Sequence, residues 1–328
     1  MELKSKYTRF RAYKLGAPGS LFSYYDGTSF TLIEAFLTDT CIPQLNEELK
    51  ECNFHEKGYI DCLHITSWDK DHCDKNSLEA ILESLKPRRI EYPGYDISDI
   101  QNQKDCVKAI NSYLTKMKTE NQNVIYKSIN PSYVNSLTTY TKWTYKNILF
   151  SNPKNYPKAN DNSSIKLFRT GSFTVLSLGD IDDEKVKKHI WNDWVIKNEV
   201  DILLLAHHGS DNDVNTKDFF EKVKPAVAVC SSDYDNKYEH PRANVRQKLQ
   251  NLNIPLKTTK NGDVIITSTG DNTANFSVQD LQSDNTAQKG YKTTYKSKRG
   301  KEKTRLEKKS NDDELIKLIR KYLAEQKK

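Results

Sequence analysis

Thr66-Ser67-Trp68-Asp69-Lys70-Asp71-His72 stands directly after the apolar run Tyr59-Ile60-Asp61-Cys62-Leu63-His64-Ile65. A short strand of that kind delivers a polar cluster to a sheet edge. Asp69, Asp71 and His72 then set three metal-ligand types within four residues. Carboxylate oxygen with imidazole nitrogen suits zinc, manganese or iron better than calcium or magnesium. Zinc or manganese is the expected ion, with magnesium admissible. Asp-x-Asp-His also occurs in surface turns, so the reading depends on what the rest of the chain supplies.

Upstream, strand and turn signals alternate. Phe10–Leu15, Leu21–Tyr25 and Ser29–Ala35 read as strands, separated by the breaker-rich Gly16-Ala17-Pro18-Gly19-Ser20 and the tight Asp26-Gly27 turn. A helix is expected over about 43–52. Downstream, Ser77–Leu85 is a helix capped by Asn76 or Ser77 and stopped by Pro87. Arg88–Gly94 returns as a strand and turn, and a helix over about 103–119 carries Val107, Ile110 and Leu114 on one face.

The second half repeats the style. Strands are expected at 147–150, 164–169 and 173–178, the last ending in Gly179-Asp180, followed by a helix over about 183–196. Val200–Leu205 is a buried strand that runs into Ala206-His207-His208-Gly209-Ser210. Two imidazoles at a strand end are costly to desolvate without partners, and Gly209 permits a sharp turn. Alternating elements continue to about 270, and His240, in Tyr238-Glu239-His240-Pro241, follows another strand after a short loop. Strands with segregated helices imply a layered α+β domain, with helices outside two sheets. Three polar clusters (Asp69/Asp71/His72, Asp180 and His207/His208) each close a strand, and together they hold three of the seven histidines.

These residues resemble the metallo-β-lactamase superfamily, in the branch typified by the soluble domain of the DNA-uptake protein ComEC. The resemblance covers roughly residues 8–270. The family's Thr-His-x-Asp-x-Asp-His is matched by Thr66 to His72, its Asn-Asn-Ser by Asn160-Asp161-Asn162-Ser163, and its Thr-Gly-Asp by Leu178-Gly179-Asp180. His207 to Ser210 match its His-His-Gly-Ser, Tyr238 to Pro241 its Tyr-x-His-Pro, and Gly16 to Ser20 echo its opening turn. The resemblance implies a four-layer αββα sandwich and metal-assisted hydrolysis. It also implies a metal-ligand set drawn from Asp69, Asp71, His72, Asp180 and one of His207 and His208. Asp71 or Asp180 would hold and deprotonate the water. His240, or the non-ligand member of the His pair, would protonate the leaving oxygen.

One departure matters. Ser67 stands where the family has a histidine that binds the first metal, so one well-formed site and a second, weakened one are expected. His64 lies three residues upstream, on the opposite strand face from Ser67. It and Cys73 are expected to be structural.

At 36% hydrophobic, 328 residues suffice for one large core. No run of 18 apolar residues exists, Met1–Lys6 lacks an apolar signal core, and the six cysteines form no C-x-x-C pair. A cytoplasmic protein without membrane spans, its thiols reduced, is expected. Residues 289–328 hold 15 Lys/Arg against 6 Asp/Glu, or +9, which leaves −2 for the rest. Residues 271–310 therefore read as a basic, disordered linker. Residues 311–328 read as an amphipathic docking helix for this body or for a protein partner, its apolar stripe lying within 311–326. Lys296, Lys298, Arg299, Lys301, Lys303 and Arg305, interleaved with Tyr291 and Tyr295, would contact nucleic acid, DNA before RNA. No membrane channel accompanies the resemblance, so a nuclease of a defence or repair assembly is expected in place of an uptake role. A small-phosphoester hydrolase, or a nucleic-acid-binding scaffold impaired by Ser67, is the alternative.

Overall fold

The computed structural model describes residues 7–95, 101–137, 146–150, 154–269, 275–282 and 287–301, the side chains of 287–291 excepted. Among these residues the strands form two sheets. The first holds β1 (Arg9–Ala12), β2 (Phe22–Tyr25), β3 (Phe30–Ile33), β4 (Cys62–His64), β5 (Arg89–Pro93) and β6 (Ile125–Ile129). β13 (Val264–Ser268), β14 (Asn275–Leu281) and β15 (Ala287–Lys296) complete it, in the order β15-β14-β13-β1-β2-β3-β4-β5-β6. The second holds β7 (Ile148–Leu149), β8 (Lys166–Phe168), β9 (Val175–Ser177), β10 (Ile202–Leu204), β11 (Val227–Cys230) and β12 (Leu256–Thr258), in the order β12-β11-β10-β9-β8-β7.

Strand alternation sorts the apolar residues into three separate cores. Ile202 and Leu204 of β10 face the first sheet, meeting Phe10, Phe22 and Ile33. Leu203 and Leu205 face the other way, onto the helices α5 (Glu184–Trp191), α6 (Trp194–Glu199), α7 (Lys217–Val223) and α8 (Ala243–Asn251). The first sheet likewise buries Leu32, Leu63 and Ile90 beneath α1 (Ile42–Glu51), α2 (Lys75–Ser84) and α3 (Gln101–Thr119). Three apolar interfaces make four layers, αββα.

Local differences from the expected elements have local causes. The helix expected over 183–196 is two, broken where the Asp193 side chain accepts from Val195 N at 3.0 Å and starts α6. The cap of α2 is Asp74, whose carboxylate accepts from Ser77 N at 3.1 Å, and not Asn76 or Ser77. The stretch after 120 forms β6 and a short α4 (Pro131–Ser136).

The larger correction lies beyond residue 270. The linker expected over 271–310 is in part an antiparallel hairpin, β14 and β15, that extends the nine-stranded sheet. Phe276 and Val278 alternate onto the inner face and are fully buried there, with Phe276 against Phe173 and Tyr295. The polar average of the stretch reflects the residues between these apolar ones and the exposed Lys292, Thr293 and Thr294 of β15. Ser297 to Lys301 then pack on the second sheet. Lys298 N donates to Asp201 Oδ1 at 2.7 Å, and Lys298 Nζ donates to the carbonyls of Lys197 (3.0 Å) and Val223. The folded domain expected to end at 270 therefore extends at least through Ser297 to Lys301. The docking helix expected over 311–328 lies outside the described residues.

β3, β4, β5 and β6 are parallel, as are β9, β10, β11 and β12. The segments that follow β3, β4, β9, β10 and β11 supply the groups of the site described next.

Candidate metal centre

The β4 strand ends at His64, and the chain turns through Thr66 to His72 beneath the first sheet's edge. His72 is buried, with Nδ1 3.2 Å from Glu34 Oε1 and 3.3 Å from Thr66 Oγ1. Glu34, at the end of β3, also accepts from Thr66 N (2.9 Å) and Thr66 Oγ1 (2.5 Å). A carboxylate on Nδ1 places the proton there and leaves a lone pair on Nε2. His72 Nε2 lies 2.9 Å from Asp180 Oδ1, yet the approach lacks hydrogen-bond geometry.

His208 repeats the arrangement from the second sheet. Its Nδ1 faces the Ser231 carbonyl at 3.1 Å, and its Nε2 has no hydrogen bond although Asp71 Oδ2 is 3.3 Å and Asp180 Oδ1 4.0 Å away. One ligand atom from each of Asp71, His72, Asp180 and His208 lies within 4.8 Å of all the others. Ligands about 2 Å from a tetrahedral ion stand about 3.3 Å apart, so the four suit one divalent ion. Two buried nitrogen lone pairs and two carboxylates converging on one point are hard to account for otherwise.

The electrostatics agree. Burial alone would push the His72 pKa down, but Asp180 and Glu34 hold it well above the usual range. Burial would raise Asp180, and His72, His208 and His207 instead hold it well below. Asp71 is lowered by His208 and His72 against the same burial. The carboxylates demand positive charge, which a divalent ion would supply in place of imidazolium protons.

The loops are built for this placement. Gly179 turns at φ +55, and a Cβ there would meet Ser163 Cβ at 2.8 Å. Asp180 N then donates to Ser163 Oγ at 3.1 Å, and Asp161 Oδ1 accepts from the backbone of Asp182 and Asp183. Gly19, at φ +151, packs against the Asp71 carbonyl, which accepts from Ser20 N at 2.9 Å. His207 and His208 both take left-handed φ values, 46° and 50°, which costs on the order of 1–3 kcal/mol per residue. The Asn215 side-chain amide offsets part of this by donating to the carbonyls of Ala206 (2.9 Å) and Ser210 (2.8 Å).

Two expected ligands stand outside the group of four. Asp69 accepts from Ser67 Oγ at 3.1 Å, and burial together with Asp180 raises its pKa. Ser67, in the position of the absent histidine, thus restrains Asp69. His207 turns to Asp182, with Nδ1 2.9 Å from Oδ1, which also accepts from Asn212 at 2.6 Å. Burial opposes protonation of His207, but Asp182 and Asp180 raise its pKa to about 9. His240 lies beside the pair, its ring stacked on that of His208 at 6.4 Å and 10°. Burial, then His208, His207 and Arg242, lower its pKa to about 4. His64 is fully buried against Glu91, at 2.9 Å, in an ion cluster with Lys166 and Arg89, and Cys73 is buried too.

The basic residues expected to bind nucleic acid divide. The Lys298 ammonium is engaged by two carbonyls and half-buried, and Arg299 donates to the Gly171 carbonyl, so neither presents a bare cation to a phosphate. Lys296 ends β15 at intermediate exposure, and Lys301 is exposed. Lys303 and Arg305 lie outside the described residues.

Glu34 and Asp182 hold the imidazoles, and the motifs do not contain Glu34. A carboxylate closing the apolar run Leu32-Ile33 was its only signal.

No family model matches the chain. Over 208 residues, 62% of its length, it is 26% identical to ComE operon protein 3 of Bacillus subtilis strain 168. Over 120 residues, 36% of its length, it is 29% identical to competence protein ComA of Neisseria gonorrhoeae. These matches support a ComEC-like, metallo-β-lactamase assignment for the chain. The matched stretches span only 24% and 17% of those relatives. Igni18, a metallo hydrolase of the archaeon Ignicoccus hospitalis, aligns with 79% of this chain and 98% of its own, at 12% identity and a TM-score of 0.46. Among the described residues no helix is long and apolar enough to cross a membrane.

Proposed function

We propose that this chain is a metal-dependent hydrolase that cleaves phosphodiester bonds of nucleic acid, DNA before RNA. The observation that carries the reading is the convergence of the His72 and His208 Nε2 atoms with Asp71 and Asp180, the last three of these residues lining an open cavity of about 810 Å³. When bound there, a divalent ion would bring its water's pKa towards neutrality and polarise a phosphoryl oxygen. Asp71, with 39% of its side chain exposed against 4% for Asp180, is placed to accept the water's proton. Asp180 holds the centre from below.

Of the two candidates for the acid, His240 and the non-ligand member of the pair, we assign the role to the latter, His207. Its contact with Asp182 raises its pKa, which suits it to a phosphate oxygen or to protonating the leaving group, whereas burial and the neighbouring histidines lower that of His240. The cavity is also lined by Asp69, Asp211, Asp233 and Glu239, of which Lys248 neutralises Asp211 and Arg242 Glu239. So acidic a mouth repels a polyanion until a cation occupies it, which makes substrate binding metal-dependent.

The names of the competence relatives and the basic residues from Lys301 onward, including Lys303 and Arg305, favour nucleic acid over a small phosphoester. Residues 311–326 would dock a protein partner, and the enzyme would act in the cytoplasm. The test is metal analysis of the purified protein beside cleavage of DNA and RNA with manganese, magnesium or zinc. Bound metal and cleavage lost in Asp180→Ala are expected. Absence of both metal and cleavage, or equal activity in Asp180→Ala, overturns the reading.

A further inference from the structure

One wall of the cavity is the loop Ser231–Pro241, between β11 and α8. Tyr238 on this loop lines the cavity, is 55% exposed, and belongs to none of the three cores. Its ring lies 5.6 Å from that of His240 at 25°, and His240 in turn stacks on His208. A column of three rings therefore runs from solvent to a nitrogen of the metal centre. The loop is held rigid beneath it. Asn236 accepts from His240 N (2.6 Å) and donates to the carbonyls of Asp233 (2.8 Å) and His240 (3.0 Å), while Arg242 donates to the Tyr238 carbonyl at 3.1 Å. Lys237 Nζ stands over the Tyr238 ring, 4.8 Å from its centre, and pairs with no carboxylate among the described residues.

An exposed aromatic ring beside the metal centre, with a flexible ammonium lying over it that can swing aside, matches one chemistry: a flat base on the ring and its phosphate on the displaced cation. We propose that Tyr238, with Lys237, is a stacking platform for one unpaired nucleobase of the substrate, adjoining the scissile phosphate. This deepens, and rests on, the nucleic-acid reading of the site. Bases within a duplex are already stacked and cannot lie on such a ring without being extruded, so the platform selects single strands.

The test uses the full-length, manganese-loaded protein on three substrates: a single-stranded oligodeoxynucleotide, its duplex, and an abasic strand of the same length and backbone. The base-bearing single strand should exceed the abasic strand at least tenfold in kcat/KM, chiefly through KM. That is about 1.4 kcal/mol, in keeping with one stacked base. The ratio should fall to about one in Tyr238→Ala and persist in Tyr238→Phe. A ratio near one in the wild type, a ratio unchanged in Tyr238→Ala, or a duplex cleaved as fast as the single strand overturns the platform while leaving the nuclease reading intact. Cleavage of none of the three by the wild type overturns both.

Discussion

Glu34 shows how much of the centre depends on groups that would never touch an ion. Its backbone sits at φ +72, and its carboxylate orients both His72 and Thr66. Glu34→Gln keeps the shape but weakens the acceptor on Nδ1, and metal affinity should drop about 10–100-fold. Competition with a chelator measures this, and unchanged affinity would remove Glu34 from the account. The adjacent histidines should separate cleanly. His208→Ala should lose bound metal, while His207→Ala should keep it and lose turnover by about 10²–10⁴-fold. Metal content beside kcat distinguishes them, and the opposite pattern would reverse the assignment. In the metal-free protein the folded pKa of His207, about 9, lies above its ordinary value of 6.5. Its contribution to stability is thus full below about pH 6.5 and lost as the pH rises through about 9. A thermal-unfolding series that falls over that window in the wild type, and not in His207→Gln, is expected.

At this scale the sequence exposes residue types well and orientation poorly. Asp71, His72 and Asp180 can be picked out because each closes a strand. Choosing His208 over His207 is beyond it, because two successive left-handed residues break the alternation by which strand neighbours are assigned to faces.

At the scale of elements, the hairpin of β14 and β15 alters how the chain may be cut. Phe276 is fully buried between the sheets, against Phe173. Phe276→Ala should cost about 3–5 kcal/mol, read as a lowered denaturant midpoint with an unchanged slope. Removal of everything after residue 270 should yield unfolded or aggregated protein, because it uncovers that inner face. A soluble, active truncation would show the hairpin to be dispensable. Most of the strand pattern up to 270 could be read from the period-2 alternation of apolar residues. The same alternation runs through Phe276-Ser277-Val278, but averaging over the 40 residues 271–310, most of them polar, conceals it. Asp201, which ties Lys298 to β10, carries a pKa raised by burial to about 6 from 3.8. The folded chain therefore holds this proton more tightly than the unfolded one, and the contribution present below about pH 4 is lost as the pH rises through about 6. Asp201→Asn should flatten that part of the stability profile.

Across the whole molecule, acidic and basic character occupy different places. The cavity is lined by more carboxylates than cations, whereas residues 289–328 carry +9. Nucleic-acid affinity should therefore have two separable parts. One requires manganese and is lost to chelator or to Asp180→Ala. The other survives chelation, weakens steeply with salt, and shrinks when residues 302–328 are removed, as counterion release by fewer cations requires. Titrations at several salt concentrations resolve the two, and a single component abolished by chelator would contradict the division.

The anchoring of Lys298 on Asp201 gives that division a length. Asp201 stands at the start of β10, whereas His208 lies beyond its other end. The intervening strand and its flanks measure about 15–20 Å at roughly 3.3 Å per residue. Lys298, in the basic C-terminal stretch, is therefore fixed at the far end of β10 from the metal centre. An oligonucleotide of two or three residues seated in the cleft falls short of the anchor point, while one several times longer can run back along the body towards it. The protein would in that sense contain a ruler, with a threshold of strand length above which the basic stretch begins to count.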